Sequence, residues 1–175
     1  MLMLRDMIES DVEDYVRWFT VETEWMHWDA PWEADKTDEA TERANWSEYY
    51  QTVSQKPADR IRYKYEIEAD GRHIGWVSAY TDTEFYDNPE ETVAIGIDIP
   101  EKQDRGSGNG TQALLQFMDY YRKLGHKRLL TQTWSGNLPM IAVAKKLGFT
   151  EVSRAVGVRT VNGNAYDALT FEILL

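Results

Sequence analysis

The chain has 175 residues, no Cys, 42% hydrophobic and 28% charged residues, and a formal net charge of −11. This length suits one domain, residues 1–175, with a core that needs no staples, and the missing Cys excludes disulfide scaffolds, thiolate nucleophiles and Cys-ligated zinc. The negative charge argues against nucleic-acid binding, which needs cations to displace counterions, and no apolar run approaches the roughly 20 residues of a membrane span. The charge is uneven: residues 1–105 carry 26 acids and 11 bases, residues 106–175 carry 4 and 8.

The opening Met1-Leu2-Met3-Leu4-Arg5-Asp6 has neither a basic n-region nor a long apolar stretch, so it reads as no signal peptide, and a cytoplasmic protein is expected. Leu2 to Leu4 reads as a first strand. Ser10-Asp11-Val12-Glu13 has the form of a capping box, and Val12, Tyr15, Val16 and Phe19 follow at helical spacing. Residues 21–35 show no period but hold Trp25, Trp28, Pro31 and Trp32. A second helix is predicted over 37–54, with Trp46, Tyr49, Tyr50 and Val53 on one face.

Strands follow. Tyr63, Tyr65, Ile67 and Ala69 alternate with charged residues, Ala69-Asp70-Gly71-Arg72 supplies a tight turn, and Ile74 to Tyr80 forms the hairpin partner. A further turn, Asp87-Asn88-Pro89-Glu90, precedes a strand over 92–99. A third helix presents Ala113, Leu114, Phe117, Met118 and Tyr121 as its apolar stripe. A strand over 127–133, a helix over 139–147 stopped by Gly148, and a hairpin turning at Asn162-Gly163 complete the chain. The pattern predicts an α+β fold: a mixed, mostly antiparallel central sheet flanked by helices, with one parallel crossover within 92–133.

Glycines cluster where a strand feeds a helix, in Arg105-Gly106-Ser107-Gly108-Asn109-Gly110-Thr111. Such a junction suits an anion, because free helix N–H groups and the helix dipole face it and glycine lets the backbone approach. A P-loop needs Lys after its second glycine, and none follows here. Gly108-x-Gly110-x-x-Ala113 satisfies a permissive dinucleotide pattern, but that site wants an acidic residue about 20 positions on, and 129–140 contain none.

Arg105-x-x-Gly108-x-Gly110 resembles the pyrophosphate loop of the GNAT superfamily of acetyl-CoA-dependent N-acetyltransferases. A second element, Trp134-Ser135-Gly136-Asn137 leading to Leu147-Gly148-Phe149, is similar to the downstream motif of the same family. The order of elements along the whole chain matches as well, and the Leu2-to-Asp14 opening resembles the branch of ribosomal-protein N-terminal acetyltransferases. The resemblance implies acetyl-CoA as co-substrate, no metal, and a splayed strand pair forming a wedge for pantetheine. Ile97, Asp98 and Ile99 would then offer backbone groups to the pantetheine and the thioester carbonyl. Arg105, Gly106, Ser107, Gly108, Asn109, Gly110 and Thr111 would take the pyrophosphate, and Asn137 would sit near the pantetheine. The basic final segment would lie toward the phosphates, and a homodimer is compatible with the family.

Two departures bear on catalysis. Many relatives place Tyr in the helix before Leu-Gly-Phe, where this chain has Ala144, and Glu on the strand, where it has Ala94. Asp98 shares the strand face of Ala94 and Gly96 and is the candidate base, with Ser135 the candidate proton donor; a structurally bonded Asp98 and a capping Ser135 are the plainer readings. Trp25, Trp28 and Trp32, interleaved with Glu22, Glu24, Asp29 and Glu33, form a candidate acceptor wall for a cationic amine, or simply pack a loop onto the core. His27, His73 and His126 are scattered in sequence and suggest no metal site.

The expected activity is direct acetyl transfer to a primary amine, either a protein N-terminal α-amine or a small cation such as a polyamine or aminoglycoside. Ala94 and Ala144 leave open a CoA-binding sensor that has lost catalysis. A protein-interaction module using the Trp surface is a third reading.

Overall fold

The computed structural model describes residues 1–88 and 90–175. The turn expected at 87–90 includes Pro89, which lies outside the described residues; beside it, the Asn88 side chain exchanges two hydrogen bonds with the Thr92 backbone. The elements run β1 (Leu2–Arg5), α1 (Asp11–Thr20), α2 (Met26–Asp29), α3 (Glu39–Ser54), β2 (Lys64–Ala69), β3 (Arg72–Tyr80), β4 (Ala94–Asp98), α4 (Asn109–Lys123), β5 (Arg128–Trp134), α5 (Leu138–Lys146), β6 (Thr150–Val161) and β7 (Asn164–Leu174). One seven-stranded sheet has the order β1-β2-β3-β4-β5-β7-β6, and β4–β5 is its one parallel pairing.

Both predicted tight turns form where the sequence places them. Asp70 and Gly71 have φ of 49° and 79°, and Asn162 and Gly163 of 50° and 79°, the left-handed pair that a two-residue hairpin turn requires. The helices obey their caps. Asn137 accepts from the Met140 amide at the start of α5, and Gly148 at φ 92° closes it, with Phe149 N–H donating to Ala144 O. Asp38 accepts from the Thr41 amide at the start of α3. The capping box expected at Ser10 does not form: its side chain makes no cap bond. Asp11 instead accepts from the Ile8 amide and holds Arg5 through two hydrogen bonds, so the ion pair outcompetes the cap for this first turn.

The two faces of the sheet bury different chemistry. On one, the α4 stripe of Ala113, Leu114, Phe117, Met118 and Tyr121 packs with Ile67, Val77, Ile95, Leu129, Phe149 and Phe171. On the other, α1 and α3 lay Val12, Tyr15, Val16 and Trp18 over Trp76, with Trp46, Tyr49, Tyr50 and Val53 against them. Tyr15 stacks on Trp46 at 3.8 Å and meets Trp18 edge-on at 5.4 Å.

Candidate functional site

The parallel contact between β4 and β5 is short. Ala94 pairs with Leu130, Leu130 N–H donates to Val93 O at 2.9 Å, and Thr131 Oγ1 donates to Ile95 O at 2.8 Å. Beyond that point no ladder pair joins the strands, while β5 continues to pair with β7 as far as Trp134. Alternate residues of a strand turn their N–H and C=O to the same side, so Ile97 and Ile99 follow Val93 and Ile95 in facing the gap. The strand pair is splayed, as expected.

Below the gap, Gly106 and Gly108 adopt φ of 79° and 92°, and an added Cβ at either would meet open space within 4 Å. Gly110 lies against the Ile97 and Ile99 side chains, where a Cβ would make ordinary contact at 3.7 Å. Helix α4 opens directly from this loop with no acidic residue in its first turn, and its first α-helical bond runs from Gln112 N–H to Gly108 O. The N–H groups ahead of it are therefore free of helical partners. Asn109 Nδ2 donates to Asp104 O and fixes the loop. The Arg105 side chain is engaged within the protein. Its Nε donates to Ile99 O at 2.7 Å, its guanidinium reaches Pro100 O, and Nη1 pairs with Glu24 at 2.6 Å. It braces the strand-to-loop turn against the segment before α2.

Asp98 pairs with Trp76 across β3–β4 on the face of Gly96 and Ala94, which confirms the alternation. Ala94 and Ala144 are both buried, so neither position offers an ionisable group. Burial pushes the Asp98 carboxyl well above its ordinary range, the nearby Asp29 charge adds to this, and Lys64 and Arg105 oppose it. Asp29 is itself raised, by burial and by Glu33. Tyr80 is pushed up to about 12 by burial and by the two carboxylates. Lys64 is lowered by burial and lies 4.3 to 5.2 Å from the ring centres of Tyr15, Trp46, Trp76 and Tyr49.

Beside these groups lies a cavity of about 280 Å³ bounded by Asp29, Trp32, Tyr80, Gln132, Trp134 and Arg159. Three of them, Tyr80, Gln132 and Arg159, were invisible in sequence. Gln132 ties the β3–β4 loop to the sheet through Glu84 and Thr170. Arg159 follows a break in the β6–β7 register, where Ala155 opposes Ala168 but Arg159 opposes Tyr166. The break inserts two extra residues on β6, which keeps Arg159 on the face of Ala155; its partners Trp32, Phe85 and Glu84 are remote in the chain, so sequence gave no signal for them.

The three tryptophans separate. Trp32 lines the cavity and meets Trp134 edge-on at 6.0 Å. Trp28 is exposed, donating its indole N–H to Glu24 and accepting Trp134 Nε1 on its carbonyl. Trp25 is a core residue and not part of the acceptor wall: it is buried among Phe19 and Trp76 with its N–H on Trp18 O. Its place in the 3-10 turn Thr23–Trp25 rotates it onto the sheet. Ser135 joins β5 to β7, accepting from Asp167 N–H on Oγ, which leaves its own O–H as a donor. Asn137 Oδ1 caps α5, which leaves its amide N–H groups as donors outside the cap.

His73 is not isolated. Its Nδ1 lies 3.1 Å from Asp14 and 3.3 Å from Asp11, and Nε2 lies 3.0 Å from Glu66, which also accepts Tyr15 OH. Burial lowers its pKa, but bonds to Asp14 and Glu66 prevail and raise it to about 9. Asp11, Asp14 and His73 have the spacing of a metal set. Arg5 on Asp11 and Arg17 on Asp14 already supply positive charge there, and the imidazolium completes it.

Residues 1–150 match the family model described as "Acetyltransferase (GNAT) domain". The N-acetyltransferase 9-like protein of Nematostella vectensis is 31% identical over 96 residues, 51% of this chain and 48% of that protein, so the match spans about half of that relative's length. RimL, a ribosomal L7/L12 α-N-protein acetyltransferase solved in complex with coenzyme A, superposes with a TM-score of 0.75 at 19% identity, covering 99% of this chain and 94% of that one. The ribosomal-protein-S5-alanine acetyltransferase of Vibrio fischeri gives a TM-score of 0.75 at 18% identity, covering 99% and 92%. At these identities the structural likeness establishes the fold. No helix among the described residues is long and apolar enough to cross a membrane.

Proposed function

The chain belongs to the GNAT acetyltransferase family, and from that premise we propose that it transfers acetyl from acetyl-CoA directly to a primary amine without a metal. The observation that carries this reading is the splay of β4 from β5, with a glycine-opened helix at one end and the Asp98–Asp29 pair and a cavity at the other. The loop fits the proposed co-substrate: positive-φ glycines with open space above them, and free helix N–H groups, form a cradle for pyrophosphate. Gly106 through Thr111 do this through backbone; Arg105 shapes the turn. Acetyl-CoA supplies the activated thioester.

This chain's residues supply the remainder. The Ile97 N–H facing the gap is placed to polarise a thioester carbonyl, where negative charge develops during attack. An amine is mostly protonated near neutral pH, and Asp98, with its raised pKa, first takes a proton from it, which frees the nitrogen lone pair to attack the thioester carbon. Ser135 O–H gives a proton to the departing thiolate as the C–S bond breaks, and the second proton shed by the acylated nitrogen restores the hydroxyl. Asn137 orients the pantetheine through its free amide N–H groups.

The test is release of free thiol from acetyl-CoA in the presence of peptides, polyamines and aminoglycosides. Turnover with any of them supports the reading. The buried Ala94 and Ala144 favour one second reading, a CoA-binding sensor, which expects acetyl-CoA binding by calorimetry with no thiol release.

A further inference from the structure

The strand that ends at Asp98 lies against β3 through a contact that only glycine permits. In the β2–β3 ladder Ile67 opposes Gly75 while Glu68 opposes His73, so Ile74 is one extra residue on β3. Such a bulge bends its strand and re-aims the side-chain directions beside it. The effect shows at Gly75. A Cβ added there would not stand clear of the sheet, as a strand Cβ ordinarily does, but would lie 2.1 Å from Asp98 O and 3.1 Å from both Asp98 C and Ile99 Cα. All three atoms are backbone, so no side chain can swing aside to relieve the clash. At Gly96, in the adjoining β3–β4 ladder, the fit is ordinary: a Cβ would meet Ser78 Oγ at 3.5 Å.

The contact at Gly75 lies where β4 has left β5. β4 pairs with β3 from Ala94 through Asp98, while its pairing with β5 stops at Ala94. The end of β4 therefore follows β3, and the width of the gap depends on how closely it can do so. β3 has no room to retreat. Its other edge is paired with β2, Ile74 and Val77 are fully buried in the core that includes the α4 stripe, and Trp76 is buried under α1. β4 has the gap on its free side. Arg105, bonded to Ile99 O and Pro100 O, fixes the turn just beyond the contact. A methyl at position 75 needs about 1 Å of relief to reach ordinary contact, and β4 is the strand that can give, into the gap.

We infer that Gly75 is a positioning residue that keeps the wedge between β4 and β5 open before any ligand arrives. Its bare Cα lets the end of β4 lie against β3, which leaves the space for pantetheine and sets where the Ile97 N–H and Asp98 stand. This rests on the acyl-transfer reading for what enters the wedge. The pyrophosphate cradle from Gly106 to Thr111 is built by other contacts, past the Arg105 turn.

The experiment measures two ligands by calorimetry on wild-type and Gly75→Ala protein: acetyl-CoA, which carries pantetheine, and 3′-phospho-ADP, the nucleotide half of the same molecule without it. In Gly75→Ala the acetyl-CoA Kd should rise at least about tenfold, while the 3′-phospho-ADP Kd stays within about twofold. A merely destabilised fold would weaken both or neither, and either result overturns the inference. If wild-type protein binds no acetyl-CoA, the acyl-transfer reading fails by itself. The crystal structure of Gly75→Ala then decides the wedge: Asp98 to Pro100 moved toward β5 supports it, and an unmoved β4 overturns it. If circular dichroism shows Gly75→Ala unfolded, crystal structures of the wild-type protein with and without acetyl-CoA decide instead. Asp98 O seated on Gly75 in both supports a wedge that is open beforehand, and a β4 that leaves Gly75 on binding overturns it.

Discussion

The two ends of the sheet treat polar groups in opposite ways. Under α1, every strong group around His73 is answered: Asp11 by Arg5 and His73, Asp14 by Arg17 and His73, Glu66 by His73 and Tyr15. Around the cavity, burial and Asp29 raise Asp98, burial and Glu33 raise Asp29, and Trp32 Nε1 and Arg159 Nε have no partner. A satisfied network holds an element in place. An unsatisfied one stores free energy that a ligand releases, and the same low-dielectric surroundings make both effects large. On the proposed function, one end is expected to govern stability and the other activity.

The sharpest test is Asp98→Asn. It should cut kcat by about 10²–10⁴-fold, remove the acidic limb of the pH–rate profile, and leave the melting temperature unchanged or higher. An intact rate would take Asp98 out of the mechanism. On the other end, His73→Ala should cost about 3–5 kcal/mol in urea unfolding, because it leaves the buried Glu66 without its cation and Asp11 and Asp14 with Arg5 and Arg17 alone. Rates measured well below the melting temperature should move little, and a large rate loss in folded protein would break the division of labour. Trp25→Ala should likewise cost about 3–5 kcal/mol as a core truncation, with no change in acceptor preference if the wall is made by Trp32 alone.

Smaller effects sharpen the contrast. Gly108→Asp places a side chain at φ 92° and a carboxylate where an anion is expected, so acetyl-CoA affinity should fall at least about tenfold by calorimetry; an unchanged affinity would move the binding loop elsewhere. The pH dependence of stability has a definite sign. His73 has a folded pKa of about 9, raised from an unfolded value of 6.5, so its contribution is complete below 6.5 and disappears as the pH rises through about 9. Thermal unfolding scanned across that window should show the decline, and His73→Gln should flatten it.

Local rules carried most of the fold. The two left-handed hairpin turns, the α4 stripe and the Asn137 and Gly148 caps depend on neighbours within a few residues, so they were legible. The glycine loop proposed to hold the cofactor was legible as a strand-to-helix junction for the same reason, since a strand, glycines and a helix start are contiguous. What was lost depends on tertiary competition. Ser10 yielded to Arg5 reaching Asp11 from β1, and His73 looked alone because Asp11, Asp14 and Glu66 are remote from it in sequence or on a neighbouring strand. Trp25, Trp28 and Trp32 are close in the chain, yet one short turn sends them to core, surface and cavity. Arg159 meets Trp32, Phe85 and Glu84, all remote from it in the chain, and no local pattern encodes those contacts.

Gly136 connects the two halves of the site in one residue. An added Cβ would lie 1.9 to 2.5 Å from ring atoms of Trp134, whose indole bounds the cavity and bonds the Trp28 carbonyl. The same residue separates Ser135 from Asn137. A single methyl here would tilt the tryptophan and drag the neighbouring backbone with it. Anyone redesigning this protein for new amines should leave position 136 alone.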